Sequence, residues 1–364
     1  MTPSAIALHR LDNQQISRTK FTTAGEVVAW LGAIQGQDYA GAKWSIGLRL
    51  PQAIDAGIEQ AIADQTVIRT WLMRGTLHFT AAADIRWMLA LLSPRVIDGS
   101  SGRHRQLELD AGTFLRSEQL FARVLRGGKR LTRKEMYAVL EKAGISTLGQ
   151  RGYHILWRTA LEGLICYGPM RGREQTFVLL DEWGPKTKSM LRDQALAELA
   201  KRYFASRGPA TLQDFVWWSG LRIVDARAGL ETVALQLMQE KVDGQTYWMP
   251  RNMPARKDRL PKAYLLPGFD EYLLGYKGRA AVLDAGHSQK VCPGGNGVFR
   301  PTIVINGRIV GTWSRSLRGD GVAIGLQPFR AFVEAEECAV TVIMNRYGKF
   351  LNMPLTGCGA QIGR

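Results

Sequence analysis

Apolar positions in this chain fall into two spacings, and the spacings alternate in a repeated order. Thr132 is followed three residues later by Glu135, a capping box, and Met136, Val139, Leu140 and Ala143 then recur at helical spacing until Gly144. A second helical run opens near Gly152 and carries Ile155, Leu156, Ala160, Leu161 and Leu164. Ile165-Cys166-Tyr167 and Thr176-Phe177-Val178-Leu179-Leu180 then read as strands around a turn whose tip bears Arg171 and Arg173. Helix, helix and a hairpin with a basic tip predict a winged helix.

The same order recurs on both sides. Thr211 caps a helix through Asp214, with Phe215 and Trp218 on one face and Gly220 as its stop. Val224 to Ala234 reads as the next helix. Lys241 to Trp248 is a hairpin about Asp243-Gly244, a pair that favours tight two-residue turns. Toward the N-terminus, Thr23 and Glu26 form another capping box, and Val27, Val28, Trp30 and Leu31 make an apolar stripe that frays into Ile34-Gln35. Ile54 to Ala63 is a further helix. Val67 to Met73 and Thr76 to Phe79 are strands about Arg74-Gly75.

Beyond about residue 256 glycine becomes frequent and the apolar runs are short. Val282-Leu283, Thr302 to Ile305, Ile309 to Trp313 and Ala339 to Ile343 read as strands, with Asn306-Gly307 as a tight turn. The predicted fold class is α+β: three tandem winged-helix modules, at residues 1–110, 111–185 and 186–255, followed by a C-terminal antiparallel β-barrel or sheet at 256–364. A linker rich in proline and charge, from Pro250 to Lys262, marks the last boundary.

Charge changes the picture from fold to partner. There are 48 Lys and Arg against 32 Asp and Glu, a net charge of +16 in 364 residues. A chain this basic has a polyanion as its expected partner, because neutralising phosphates drives non-specific DNA affinity. The basic residues also cluster. Arg123, Arg126, Lys129, Arg130, Arg133 and Lys134 form one group, and Arg251, Arg256, Lys257, Arg259 and Lys262 another. The bland alternative is a set of solvated faces.

Several classes are excluded or disfavoured. No apolar run reaches the ~18 residues of a membrane span. The apolar N-terminal stretch is too short for a signal peptide. Cys166, Cys292, Cys338 and Cys358 lie far apart with no Cys-x-x-Cys pair, and no two of the five histidines sit at metal-ligand spacing. The expectation is a reduced, cytoplasmic protein at the nucleoid, without metal or cofactor.

The candidate chemistry is Gln35-Gly36-Gln37. An amide cannot titrate; it holds a water or an oxygen by hydrogen bonds without taking a proton. If Gln35 and Gln37 are catalytic, their substrate already carries the charge that makes it reactive. The competing readings are a polar helix end that caps its own carbonyls, and Asp38 as a conventional general base. Arg69, Arg74 and His78 lie in the hairpin that follows, with Arg74-Gly75 placed for a phosphate contact. A lone histidine such as His78 is more often a structural donor than a catalyst. Asp270 and Glu271 are adjacent carboxylates that would point opposite ways on an extended segment, which favours a structural role. Gly294, Gly295 and Gly297 precede no helix and make a flexible loop.

These residues carry a family resemblance. Leu31-Gly32-Ala33-Ile34-Gln35-Gly36-Gln37-Asp38 resembles the Gln-aliphatic-Gln motif of the AlkZ/YcaQ-type winged-helix DNA glycosylases. Trp71 to His78 resembles their second hallmark, and Phe269 to Tyr276 with Arg279, and Val310 to Trp313, their C-terminal signatures. Gln37 aligns the chain with the AlkZ-like branch, since the other branch has Asp there. Gly36 departs from the pattern, standing where the family has an aliphatic residue, which predicts a looser backbone.

The resemblance implies a monomeric, metal-independent, monofunctional glycosylase that excises alkylated purines, chiefly N7-alkylguanines, from double-stranded DNA, with interstrand crosslinks among its substrates. It implies Gln35 and Gln37 as catalytic; the residues themselves add Asp38 in support, and the hairpin tips and basic clusters put forward Arg69, Arg74, His78, Arg130, Arg133, Arg171 and Arg173 as the DNA contacts. A winged-helix regulator without catalysis is the competing reading of the same charge and elements.

Overall fold

The computed structural model describes residues 1–187, 189–252 and 262–360. Arg256, Lys257, Arg259 and most of the expected linker lie outside the described residues. The chain is a mixed α+β protein. Thr23, Thr132 and Thr211 each accept the N–H three residues on, and Glu26, Glu135 and Asp214 return the bond, fixing the starts of helices Ala24–Leu31, Arg133–Lys142 and Leu212–Ser219. A cap of this kind stabilises a helix by about 1 kcal/mol.

The strands are β1 (Ile34–Gln35), β2 (Val67–Trp71), β3 (Leu77–Ala81), β4 (Leu131–Thr132), β5 (Ile165–Tyr167) and β6 (Thr176–Leu179), then β7 (Leu237–Val242), β8 (Gln245–Pro250), β9 (Ala263–Leu266), β10 (Thr302–Ile305), β11 (Arg308–Arg318), β12 (Gly321–Pro328) and β13 (Leu355–Ala360). The first six make one sheet in the order β1-β3-β2-β5-β6-β4. The first and second helix–hairpin units, expected as separate modules, therefore share a sheet, joined where Arg69 of β2 pairs with Tyr167 of β5. The third unit keeps its own two-stranded hairpin, β7-β8.

The hairpin β2–β3 contributes to all three hydrophobic cores. Val67 and Phe79 pack with the N-terminal helices and the C-terminal sheet. Ile68 and Leu72 pack against the third unit with Trp218. Trp71 and Leu77 pack into the second unit. Each such side chain stabilises by about 1.5–3 kcal/mol when buried, so this hairpin is the rigid centre on which the candidate motif is mounted.

Four expectations are corrected. Ile34–Gln35 is strand β1, not a frayed helix end, because Gly32 adopts a φ of 74° and stops helix Ala24–Leu31. Val282-Leu283 lies in a turn. Ala339 to Ile343 is no strand but the middle of helix Glu334–Leu351, where Val340, Ile343, Met344 and Tyr347 are buried and Val342 is exposed. The β-branched run masked a helical stripe whose acidic start, Glu334, Glu336 and Glu337, suits a helix N-terminus. That helix crosses back over the sheet, so β13 pairs with β12 in parallel and the C-terminal region is not wholly antiparallel. Its order is β13-β12-β11-β10-β9, a curled open sheet rather than a closed barrel among the described residues.

Candidate active site

β1 lies at one edge of the six-stranded sheet and pairs with β3, Ile34 opposite Phe79 and Gln35 opposite His78. Three successive backbone groups of the motif are pinned. Gln35 donates its N–H to Glu271 Oε1 at 3.0 Å. Gly36 donates to the Leu77 carbonyl at 2.7 Å. The Gly36 carbonyl accepts from Arg69 Nε at 3.1 Å and Nη2 at 2.8 Å. Gly36 is outside the left-handed region, and these bonds hold its N–H and carbonyl where a looser backbone was expected. Gln35 is 7% exposed, with Thr76 Oγ1 3.3 Å from its Oε1, whereas Gln37 is exposed. One amide is held in the protein and the next is presented to solvent.

Asp38 caps helix Tyr39–Gly47, with Oδ1 accepting the Gly41 N–H at 3.1 Å. Its Oδ2 lies over Gly41, so close that a Cβ there would clash. Asp38 therefore serves the helix as its N-cap through Oδ1, while its side chain stays exposed beside Gln37.

Arg69 is buried rather than at the surface. Its guanidinium lies between the rings of Tyr39 and Tyr167, 5.1 and 4.8 Å from their centroids. Burial lowers its pKa, yet a guanidinium stays charged in any protein. Arg69 braces the motif and cannot meet a phosphate in this conformation. Arg74, at a φ of 56°, donates to the Trp218 carbonyl and packs over Gly220, tying the hairpin to the third unit. His78 is fully buried, with Nδ1 2.9 Å from the Thr76 carbonyl. Burial, helped by the Arg74 charge, pushes its pKa down to about 3, so the ring is neutral at neutral pH. It donates through Nδ1–H, the tautomer its carbonyl partner requires, and Nε2 has no hydrogen-bond partner among the described residues.

Arg74 itself is exposed, as are the remaining candidate arginines. Arg130 and Arg133 are exposed, as are Arg123, Arg126, Lys129 and Lys134. Arg130 lies over Trp183, and Arg133 is near enough to Arg69 for its charge to lower that residue's pKa. Arg171 pairs with Glu135 at 2.6 Å. Arg173 is exposed on a cleft of about 900 Å³ lined also by Tyr39, Lys43, Glu59 and Phe350. The residues of the first basic cluster are therefore all exposed to solvent.

The supporting charges were not foreseen. Asp270 and Glu271 do point apart, each to its own buried arginine. Asp270 accepts two bonds from Arg49, at 2.9 and 3.0 Å, and one from Ser45 at 2.7 Å. Burial raises its pKa, but the Arg49 charge and these bonds outweigh burial and hold it below the ordinary carboxylate value. Glu271 Oε2 accepts from Arg207 Nη2 at 2.6 Å and Trp218 Nε1 at 2.9 Å. Arg207 also donates to the Leu31 and Ala33 carbonyls at 2.7 and 3.1 Å. The available signal was Asp270-Glu271 itself, an acidic pair in the apolar run Tyr264 to Tyr276. Arg49 and Arg207 carry no sequence signal, since nothing distinguishes them from surface arginines.

Among the described residues no group of three or more His, Cys, Asp or Glu side chains could hold a metal ion, and no helix is long and apolar enough to cross a membrane. A family model described as DNA glycosylase AlkZ-like matches residues 28–350. The chain is 25% identical over 334 residues to an interstrand DNA cross-link repair glycosylase of Streptomyces sahachiroi, covering 84% of this chain and 85% of that one. It superposes on the solved Streptomyces sahachiroi DNA glycosylase AlkZ with a TM-score of 0.80 and 23% identity, over 99% of each chain. With a family model spanning most of its length and its motif built into the sheet edge, the chain belongs to the AlkZ-like DNA glycosylase family.

Proposed function

We propose that this protein is a monofunctional, metal-independent DNA glycosylase that hydrolyses the N-glycosidic bond of cationic alkylated purines, N7-alkylguanine above all. The observation that carries the reading is the pairing of a held amide, Gln35, with a presented one, Gln37. Asp38 is drawn into a helix cap and His78 is neutral and buried.

Amides suit a substrate that brings its own leaving-group charge. In N7-alkylguanine the imidazolium ring is cationic. As the C1′–N9 bond breaks, its electron pair neutralises that ring and leaves positive charge on the deoxyribose. Water then forms the new C1′–O bond and gives its proton to solvent. Gln37 accepts a hydrogen bond from that water and fixes its approach, while Gln35 orients the sugar or the water's second proton. No residue has to remove a proton in advance.

The three helix–helix–hairpin units are read as winged helices that grip bent duplex DNA, with Arg130, Arg133, Arg171 and Arg173 at the phosphates. The protein acts as a monomer. The Streptomyces relative is named for interstrand cross-link repair. A crosslink joined through N7 of guanine presents the same cationic bond, so unhooking belongs to this proposal.

Incubation with duplex DNA bearing one N7-methylguanine, followed by strand cleavage at abasic sites, tests the reading. Abasic sites without added metal support it. Tight DNA binding with no abasic product would support the regulator instead.

A further inference from the structure

We propose that Glu271 is a positioning residue for the excision chemistry: it sets the backbone of Gln35, and Arg207 sets Glu271. The kinetic part rests on the glycosylase reading above; the spectroscopic part does not.

Glu271 and Arg207 touch the segment entering the motif at three points. Arg207 holds the Leu31 carbonyl at 2.7 Å and the Ala33 carbonyl at 3.1 Å, and Glu271 holds the Gln35 N–H at 3.0 Å. Both side chains are buried, at 0% and 1% exposure. A buried ion pair is weak evidence for stability, because desolvating two charges offsets their attraction and an apolar pair often serves as well. The pair makes sense as a device that fixes one conformation. The short strand β1 has only two residues, too few for the sheet alone to define where Gln35 sits.

Glu271 is suited to this by having two acceptors. Oε1 takes the Gln35 N–H while Oε2 takes Arg207 and Trp218. A carboxylate accepts on both sides at once; an amide accepts on one and donates on the other. Glu271→Gln therefore keeps the shape and forces a choice. If its oxygen serves Arg207 and Trp218, its NH2 confronts the Gln35 N–H.

The test uses the full chain with selective 15N-glutamine labelling. In the wild type the Gln35 amide should resonate downfield and exchange slowly, as a charge-assisted bond requires. In Glu271→Gln it should move upfield and exchange faster. Single-turnover excision of N7-methylguanine should fall about 10- to 100-fold, the cost of a misplaced reacting group, while DNA affinity stays within about twofold of wild type by the same reasoning. Tyr272→Phe is the structural control. It removes buried hydroxyl bonds to Ala7 and Gly307 next in sequence, and should lower the melting temperature without moving the Gln35 resonance.

Arg207→Lys keeps a positive charge but not the fork to Leu31 and Ala33. It should shift the same resonance in the same direction, and it serves if Glu271→Gln does not fold. An unmoved Gln35 amide in the variants that fold, or a rate in Glu271→Gln no lower than in Tyr272→Phe, overturns the proposal. If wild type excises nothing, the glycosylase reading fails, and the Gln35 resonance alone still decides whether Glu271 positions it.

Discussion

Arg69 and Gly36 are joined by two hydrogen bonds from one guanidinium to one carbonyl, at 3.1 and 2.8 Å, inside the protein. The arginine of a basic hairpin thus braces the central residue of the glutamine motif. Glu271 holds the preceding N–H from 236 positions away. The motif is gripped by the β2 strand on one side and by the C-terminal region on the other.

Arg69→Met therefore acts on the site and not on DNA affinity. It leaves the Gly36 carbonyl without its charged donor, at an expected cost of about 1–3 kcal/mol. Excision should slow, while the salt dependence of DNA binding stays unchanged. A shallower salt slope in this variant, with full folding stability, would mean that Arg69 reaches a phosphate.

Gly36→Ala should be tolerated. Its φ is not positive, and a Cβ would meet the His78 backbone at 3.4 Å and Arg69 Nε at 3.5 Å, near ordinary contact. Replacing a glycine at a compatible backbone stabilises by about 0.4–1 kcal/mol through the unfolded chain. Urea unfolding checks it, and a loss of more than about 1 kcal/mol would show that the two neighbours cannot yield.

The two chemistries at the motif separate by substitution. Asp38→Asn retains a good N-cap and should keep both stability and most of the excision rate, whereas Gln37→Ala should lose most excision with DNA binding near normal. General bases contribute about 100-fold or more. A loss of that size in folded Asp38→Asn, with Gln37→Ala active, would move the chemistry to the carboxylate. Gln37→Asp is expected to remain active on a cationic lesion.

How far the sequence was legible follows from the range of each interaction. Capping boxes are local, so Thr23, Thr132 and Thr211 announced their helices. The Asp243-Gly244 turn announced its hairpin for the same reason. The strand at Gln35 was missed because it depends on pairing with His78, far along the chain, while the helical stripe before it pointed the other way. Ala339 to Ile343 was misread because β-branched residues and a buried helix stripe look alike in a window of five. The motif residues were visible as unusual chemistry. Their supports were not, because Arg69, Arg207 and Arg49 read as surface charge until tertiary packing shows them buried. Net charge identified a partner class without identifying which arginines face it.

The arginines that do remain exposed carry the affinity prediction. Arg130→Ala and Arg133→Ala should each weaken binding to lesion and lesion-free DNA alike, and each should reduce the slope of log K against log salt by about 1. Filter binding across a salt series checks this. A wild-type affinity that is flat in salt would remove these arginines from the interface.

The last prediction concerns acid. His78 is neutral in the fold, with a pKa pushed down to about 3, while in the unfolded chain it has the ordinary value near 6.5. Between these values the unfolded state binds the extra proton, so folding stability falls as pH drops through 6.5 and the loss is complete only near 3. Full stability from this group is present above about 6.5. The expected slope is at most ~1.4 kcal/mol per pH unit, or about 2 kcal/mol between pH 6.5 and 5. Glu118 complicates the raw profile. Burial and its neighbour Glu162 raise its pKa to about 7, so it favours the fold as pH falls through the same window. Comparison with His78→Asn removes that confusion, since Asn keeps a donor for the Thr76 carbonyl and does not titrate. Urea unfolding at pH 6.5 and 5.0 should show wild type losing about 1–2 kcal/mol more than the variant. Parallel losses in the two proteins would mean that His78 is protonated in the fold, and that Nε2 has a partner able to hold the proton.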